Sequence, residues 1–220
     1  MTIEPVAIFH SSVKGKFGVP RQAGLAPSLK GEVRFVPPYD DPVAVRGLEG
    51  FDYCWLIWGF SLNPDTADTL TVRPPRLGGN ERVGVFASRS PFRPNGLGLS
   101  CVRIDSVGAG VLYVSGADLA DGTPVYDVKP YVAYSDSRPD AVCGFVDAVE
   151  WEPLQVDYLP EAAVTLDERQ RRSITELLSL DPRPQYQVDP ERVYGMFFED
   201  LNVRFRVEGK KVLVVSAEKY

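Results

Sequence analysis

Before about residue 140 the chain carries six short β-forming runs separated by Gly- and Pro-rich turns, with no amphipathic pattern of helix length among them. The runs are "PVAIFH" (5–10), "GEVRFV" (31–36), "DYCWLIWGF" (52–60), "RVGVFAS" (82–88), "LSCVRIDSV" (99–107) and "GVLYVSGA" (110–117). β-branched and aromatic side chains suit a pleated, half-buried surface, and Val33-Arg34-Phe35 shows the two-residue alternation of a sheet with one wet face. "VGAG" (107–110), between two runs, reads as a hairpin turn. Many short strands without helices close most readily on themselves, so residues 1–140 are expected to form a small antiparallel β-barrel. A doubly wound nucleotide-binding sheet is excluded, and neither G-x-G-x-x-G nor a P-loop occurs.

The texture changes after "SDSRPDA" (135–141). Thr165-x-x-Glu168 has the spacing of a capping box, Ile174, Leu177 and Leu178 follow at helical spacing, and Pro182 stops the run. "MFFEDLNVRFRVEGKKVLVVSAE" then predicts two strands around the turn "EGKK". The expected fold is mainly β, a barrel domain over 1–140 followed by a smaller α+β domain over 145–220.

At 220 residues and 44% hydrophobic, the chain has enough apolar material for both units. Its longest apolar run, "CWLIWGF" (54–60), is far shorter than the roughly 20 residues of a membrane span. The N-terminus lacks the basic start and apolar run of a secretory signal, so a cytoplasmic protein without a membrane partner is expected. Cys54, Cys101 and Cys143 are odd in number and widely spaced, which suggests small buried hydrophobes rather than a disulfide framework.

The net charge of −6 conceals a strong asymmetry. Six arginines lie between residues 73 and 103 against the single acid Glu81, whereas residues 140–200 hold fourteen acids to five arginines. A basic centre in an acidic protein marks an anion site, whether for a carboxylate, a phosphate or an RNA backbone.

Four stretches combine stiffness with polar groups: "FGVPRQAGL" (17–25), "RPPRLGGN" (73–80), "SRSPFRPNGLG" (88–98) and "GADLADGTPVYDVKPY" (116–131). Proline fixes φ and glycine permits positive φ, so such loops hold donors in place at low entropic cost. Tight corners alone account for Gly78, Gly79, Gly98 and Gly122. They do not account for the guanidinium groups of Arg21, Arg89 and Arg93. Asp118, Asp121 and Asp127 are metal ligands, caps or acceptors for a ligand's amines, and with no histidine nearby no transition-metal site is expected. His10, the only histidine, reads as a structural hydrogen-bonder, and no nucleophile–base triad is present.

"VPRQAG", "AVRGLEGF", "VRPPRLGGNERVGVFASRSPFRPNGLGLS", "GADLADGTPVYDVKPY" and "DPRP…Y…FEDLNVRFRV" together resemble the TrmO family, also called TsaA-like or YaeB-like. The resemblance runs from residue 5 to about 207. It implies S-adenosylmethionine-dependent methylation of N6 of threonylcarbamoyl-adenosine beside the anticodon, at tRNA position 37, by a homodimer. It also implies cofactor contacts at Pro20, Arg21 and Gln22, at Ser61 and Leu62, at Arg89 and Leu99, and along Asp118, Leu119, Ala120 and Asp121. Many members have His-Gln where this chain has Ser61-Leu62, a change that leaves backbone contacts there but removes a side-chain contact. Within that frame Arg73, Arg76, Arg82, Arg93 and Lys129 are the expected RNA contacts, and Asp127 and Tyr131 the candidates for handling the N6 proton. Phe86, Phe92 and Leu99 could wall the adenine. A non-catalytic RNA-binding barrel and an S-adenosylmethionine sensor are the competing readings.

Overall fold

The computed structural model describes residues 2–63, 70–77, 81–149, 151–183 and 189–220, apart from the side chain of Arg76. Its strands are β1 (Ala7–Ser11), β2 (Lys30–Phe35), β3 (Tyr53–Gly59), β4 (Thr71–Val72), β5 (Val83–Gly84), β6 (Leu97–Gly108), β7 (Val111–Ser115) and β8 (Thr123–Pro130). β9 (Gln155–Tyr158), β10 (Tyr194–Phe198), β11 (Leu201–Glu208) and β12 (Lys211–Lys219) follow. The helices are α1 (Ala133–Asp136), α2 (Pro160–Ala163) and α3 (Glu168–Ser179).

Six strands close a barrel in the order β1-β2-β7-β6-β3-β8, with antiparallel pairing throughout. The two-residue alternation explains its filling. Phe9, Val33, Cys54, Leu56, Trp58, Val102, Leu112, Val114 and Val125 point inward and are buried. Leu119 closes one end of that core at 0% exposure. Of the three cysteines expected to be buried, Cys54 belongs to this core, where burial pushes its thiol up to about 12 and leaves it an inert hydrophobe, whereas Cys101 is half-buried and Cys143 exposed.

The C-terminal α+β region is a sheet in the order β10-β11-β12-β9, with β9 parallel to β12. Ile174, Leu177 and Leu178 of α3 pack into one core with Met196, Phe198, Val203, Phe205, Val212 and Val214. That core also takes Val13, Ala26 and Leu29, from the segment between β1 and β2. Val13 makes an isolated antiparallel bridge to Phe198. Glu199 reinforces it: its N–H donates to Ser12 O at 2.8 Å, and its carboxylate accepts from Arg169 at 2.7 Å and from Gln170 Nε2 at 2.8 Å. Residues 12–29 thus leave the barrel and are pinned to the C-terminal sheet.

Four local expectations need correction. Residues 82–88 form only the two-residue strand β5 and then a 3-10 turn over Val85–Ala87. The loop read at 116–131 contains β8, whose alternation is broken by Pro124 and a register shift opposite Ile57/Trp58. α3 is capped by Asp167, not Thr165: Asp167 Oδ1 accepts from Gln170 N at 2.7 Å, and Gln170 Oε1 accepts from Asp167 N at 3.1 Å. Thr165 Oγ1 instead donates to Ala162 O at 2.9 Å, closing α2. A further strand, β10, begins at Tyr194 and precedes the "EGKK" hairpin of β11 and β12.

Candidate active site

One mouth of the barrel is closed by residues 116–122, held by four backbone bonds. Gly24 N donates to Gly116 O (2.8 Å), Gly116 N to Leu29 O (3.0 Å), Asp121 N to Val13 O (2.8 Å) and Gly122 N to Phe9 O (2.8 Å). The loop carrying Gln22 and Ala23 therefore lies directly on the loop carrying Asp118.

Asp118 is the centre of this mouth. Its Oδ1 accepts from Ser100 Oγ at 2.5 Å, and Ser100 Oγ accepts from Trp58 Nε1 at 2.8 Å. Burial pushes its carboxyl above the usual carboxylate range. The Ser100 hydroxyl, backbone N–H groups including that of Ala23, and the Arg89 charge pull the other way. Leu119 and Ala120 are buried at 0% and 6% exposure. The Asp121 carboxylate is already engaged, 3.1 Å from His10 Nδ1 and accepting from Ser11 N at 3.1 Å.

The structure brings Arg89 and Gln22 together: Arg89 Nη1 donates to Gln22 Oε1. It separates Arg21 from them. Arg21 Nη2 donates to Asp181 O at 3.0 Å and Arg183 O at 3.4 Å, beyond the end of α3, and buried Pro20 lines the same groove with Leu177, Leu180 and Pro182. Ser61 and Leu62 are exposed just beyond β3, where Phe60 N donates to Gly96 O at 2.9 Å, so they flank the mouth. Leu99 points outward on β6, opposite Ile57.

Loop 88–98 is rigid for local reasons. Arg93 Nη1 donates to Ser88 O at 3.0 Å, Ser88 Oγ donates to Val85 O at 3.0 Å, and Asn95 and Gly96 adopt φ of 67° and 56°. Arg93 is thus a staple within the loop. Lys16 Nζ sits 5.3 Å over the Phe92 ring, and Phe86 is 76% exposed. Arg82 Nη1 donates to Thr71 Oγ1 at 2.9 Å across β4 and β5, and Arg73 is exposed beside them. The side chain of Arg76, and Gly78 and Gly79, lie outside the described residues.

Asp127, Lys129 and Tyr131 lie along the outer barrel face. Asp127 shares a row with Ile57 and Leu99 and pairs with Lys129 at 3.0 Å. Tyr131 is four residues farther along, about 13 Å away at strand rise, so the two do not converge on one proton. It packs against Tyr53 and Trp55, with ring centroids 6.2 and 6.0 Å away. Sequence reading missed that aromatic ledge, and also Trp58 and Ser100. The alternation of "LGLSCVRI" does carry the signal for Ser100: it falls at an inward position among apolar residues. Among the described residues no cluster of three His, Cys, Asp or Glu could hold a metal ion.

Comparison with known proteins gives this geometry a family. Residues 8–137 match the tRNA-methyltransferase O N-terminal domain and residues 151–220 the TrmO C-terminal domain. The chain is 42% identical, over 93% of its length and 91% of the relative's, to a Pseudomonas aeruginosa protein provisionally named S-adenosylmethionine-dependent methyltransferase RcsF. It is 40% identical to the tRNA (adenine(37)-N6)-methyltransferase of Escherichia coli K12, over 93% and 92% of the two chains. The crystal structure of TrmO from P. aeruginosa superposes with a TM-score of 0.84 at 33% identity, covering 100% of this chain and 97% of that one. With both family domains matched in order and the fold shared along its length, the chain belongs to the TrmO family.

Proposed function

We propose that this chain is an S-adenosylmethionine-dependent tRNA (adenine-N6)-methyltransferase acting at position 37, with threonylcarbamoyl-adenosine as the base it modifies. The observation that carries this reading is the convergence of Gln22, Arg89, Ser100 and Asp118 on one barrel mouth in a chain whose Escherichia coli relative bears that name and is matched over 92% of its length. Residues 1–140 are assigned as the cofactor-binding methyltransferase domain and 145–220 as a smaller accessory domain. The enzyme is assigned to the cytoplasm and to a homodimeric state.

The mouth fits the chemistry of the cofactor. A largely buried carboxylate, Asp118, supplies an acceptor for an amine or a ribose hydroxyl. Arg89, whose guanidinium reaches Gln22, supplies donors for a carboxylate. Leu99 and Leu62 are exposed and are assigned as apolar wall. When bound, S-adenosylmethionine supplies an electrophilic methyl group on a sulfonium. The protein's contribution is alignment: fixed donors and acceptors on proline- and glycine-stiffened loops hold the reacting groups in line, which supplies much of the acceleration in a displacement. Asp127, on the same outer row as Leu99, is the candidate to accept the N6 proton, and Tyr131 with Tyr53 and Trp55 forms a ledge for an unstacked base. Arg73, Arg82 and Lys129 are assigned to the RNA backbone.

The test is incubation with methyl-labelled S-adenosylmethionine and two tRNA preparations, one carrying the threonylcarbamoyl group and one lacking it. Label is expected only in the first. Label in neither, with the cofactor still bound, would favour a sensor instead.

A further inference from the structure

Behind Asp118 lies a row of hydrogen bonds that the cofactor contacts themselves do not use. An indole N–H only donates. Trp58 Nε1 donates to Ser100 Oγ at 2.8 Å, so the Ser100 hydroxyl accepts there and turns its own proton to Asp118 Oδ1 at 2.5 Å. The direction of the row is thereby fixed, from the barrel core toward the mouth. Ser100 and Trp58 are 2% and 6% exposed, so water does not compete for either bond.

The indole is itself locked. A Cβ at Gly98 would lie 2.4 Å from the Trp58 ring, so that glycine makes the space the indole occupies. Phe60 packs edge-on against it at a centroid distance of 4.4 Å. Arg89 and the Ala23 N–H also act on this carboxylate.

We infer that Trp58 and Ser100 are positioning residues for cofactor binding: they clamp one oxygen of Asp118 and leave its remaining acceptor capacity at a fixed place for the cofactor's amine or ribose hydroxyl. This rests on the mouth being the cofactor site, and adds how its acceptor is held. Neither residue touches the reacting atoms. Their effect falls on cofactor affinity and not on the rate once the cofactor is saturating.

A double-mutant cycle on the full chain tests it, with S-adenosylhomocysteine affinity measured by calorimetry for wild type, Ser100→Ala, Asp118→Asn and the double variant. A hydrogen bond to a charged group is worth about tenfold or more. Ser100→Ala is therefore expected to weaken binding about tenfold in the wild-type background and less than about threefold once Asp118 is Asn. Trp58→Phe is expected to raise the KM for S-adenosylmethionine about threefold, with kcat little changed. If Ser100→Ala does not fold, the same cycle with Trp58→Phe decides. Equal costs in both backgrounds would make Ser100 a core filler and overturn the inference. Wild-type affinity in Asp118→Asn is a different pattern: it would remove Asp118 from the cofactor site, and the role of the row with it.

Discussion

Arg21 and Gln22 are adjacent in the chain and face opposite halves of the molecule. Arg21 donates to the carbonyls of Asp181 and Arg183 in the C-terminal region, while Gln22 accepts from Arg89 at the barrel mouth. The loop that contributes to the mouth is therefore held from behind by the C-terminal sheet and α3. Ser28 tightens the same attachment, donating through its N–H and Oγ to Glu176 Oε2 at 2.9 and 2.8 Å.

Glu176→Ala should accordingly damage a site it does not touch. Removing the acceptor leaves the Ser28 N–H unsatisfied in a partly buried place and its hydroxyl with Ser173 Oγ alone, a loss of about 1–3 kcal/mol. Thermal melting is expected to shift down by several degrees, and cofactor affinity to weaken about threefold to tenfold. An unchanged affinity in a destabilised variant would show that the loop keeps its place without the C-terminal anchor.

Arg89 is expected to be needed as an arginine. Its planar fork can hold Gln22 and a ligand carboxylate together, whereas lysine offers a point charge. Arg89→Ala should weaken S-adenosylhomocysteine binding by at least about tenfold, and Arg89→Lys should recover only part of that. Calorimetry on the two variants checks both statements.

Asp118 predicts a pH dependence with a definite sign. Burial places its carboxyl above the ordinary range, with Ser100, the Ala23 N–H and Arg89 facing it and pulling partly back. In the folded protein it thus takes up a proton at a higher pH than in the unfolded chain. Stability falls as pH rises from the ordinary carboxylate value through the folded one, then levels. Cofactor binding runs the other way. The ammonium of an amino acid stays charged throughout the acid range and prefers the ionised carboxylate. Affinity should therefore start to drop on acidification before ordinary carboxylates titrate, and Asp118→Asn should flatten that limb.

Gly98→Ala places a methyl group within contact of an indole that cannot retreat past Phe60. Overpacking of this kind costs about 1–3 kcal/mol. Urea denaturation should show the loss, and Trp58 fluorescence should report the displaced ring.

The barrel was legible because its strands obey the inside–outside alternation closely: β6 alternates buried and open positions from Leu97 to Asp105. β8 was hidden by Pro124 and by Asp127 and Lys129, whose partner strand β3 lies some seventy residues away in sequence. The expected cap, Thr165 with Glu168, and the observed one, Asp167 with Gln170, share one spacing, and Thr165 is instead used to close α2. At the site, the resemblance pointed to Gln22, Arg89 and Asp118, which the fold assembles. It also pointed to Arg21, whose guanidinium turns to carbonyls 160 residues away, a tertiary choice that no local pattern encodes. Arg93 stands similarly apart: its donor closes its own loop through Ser88.

The most direct measurement is a crystal structure of the protein with S-adenosylhomocysteine. Density for the ligand is expected at the barrel mouth, with its amino-acid end or ribose within hydrogen-bonding distance of Asp118 and Arg89, and with Trp58 and Ser100 in their present places. Ligand seated elsewhere, for example in the groove lined by His10, Lys30 and Asp105, would contradict the account.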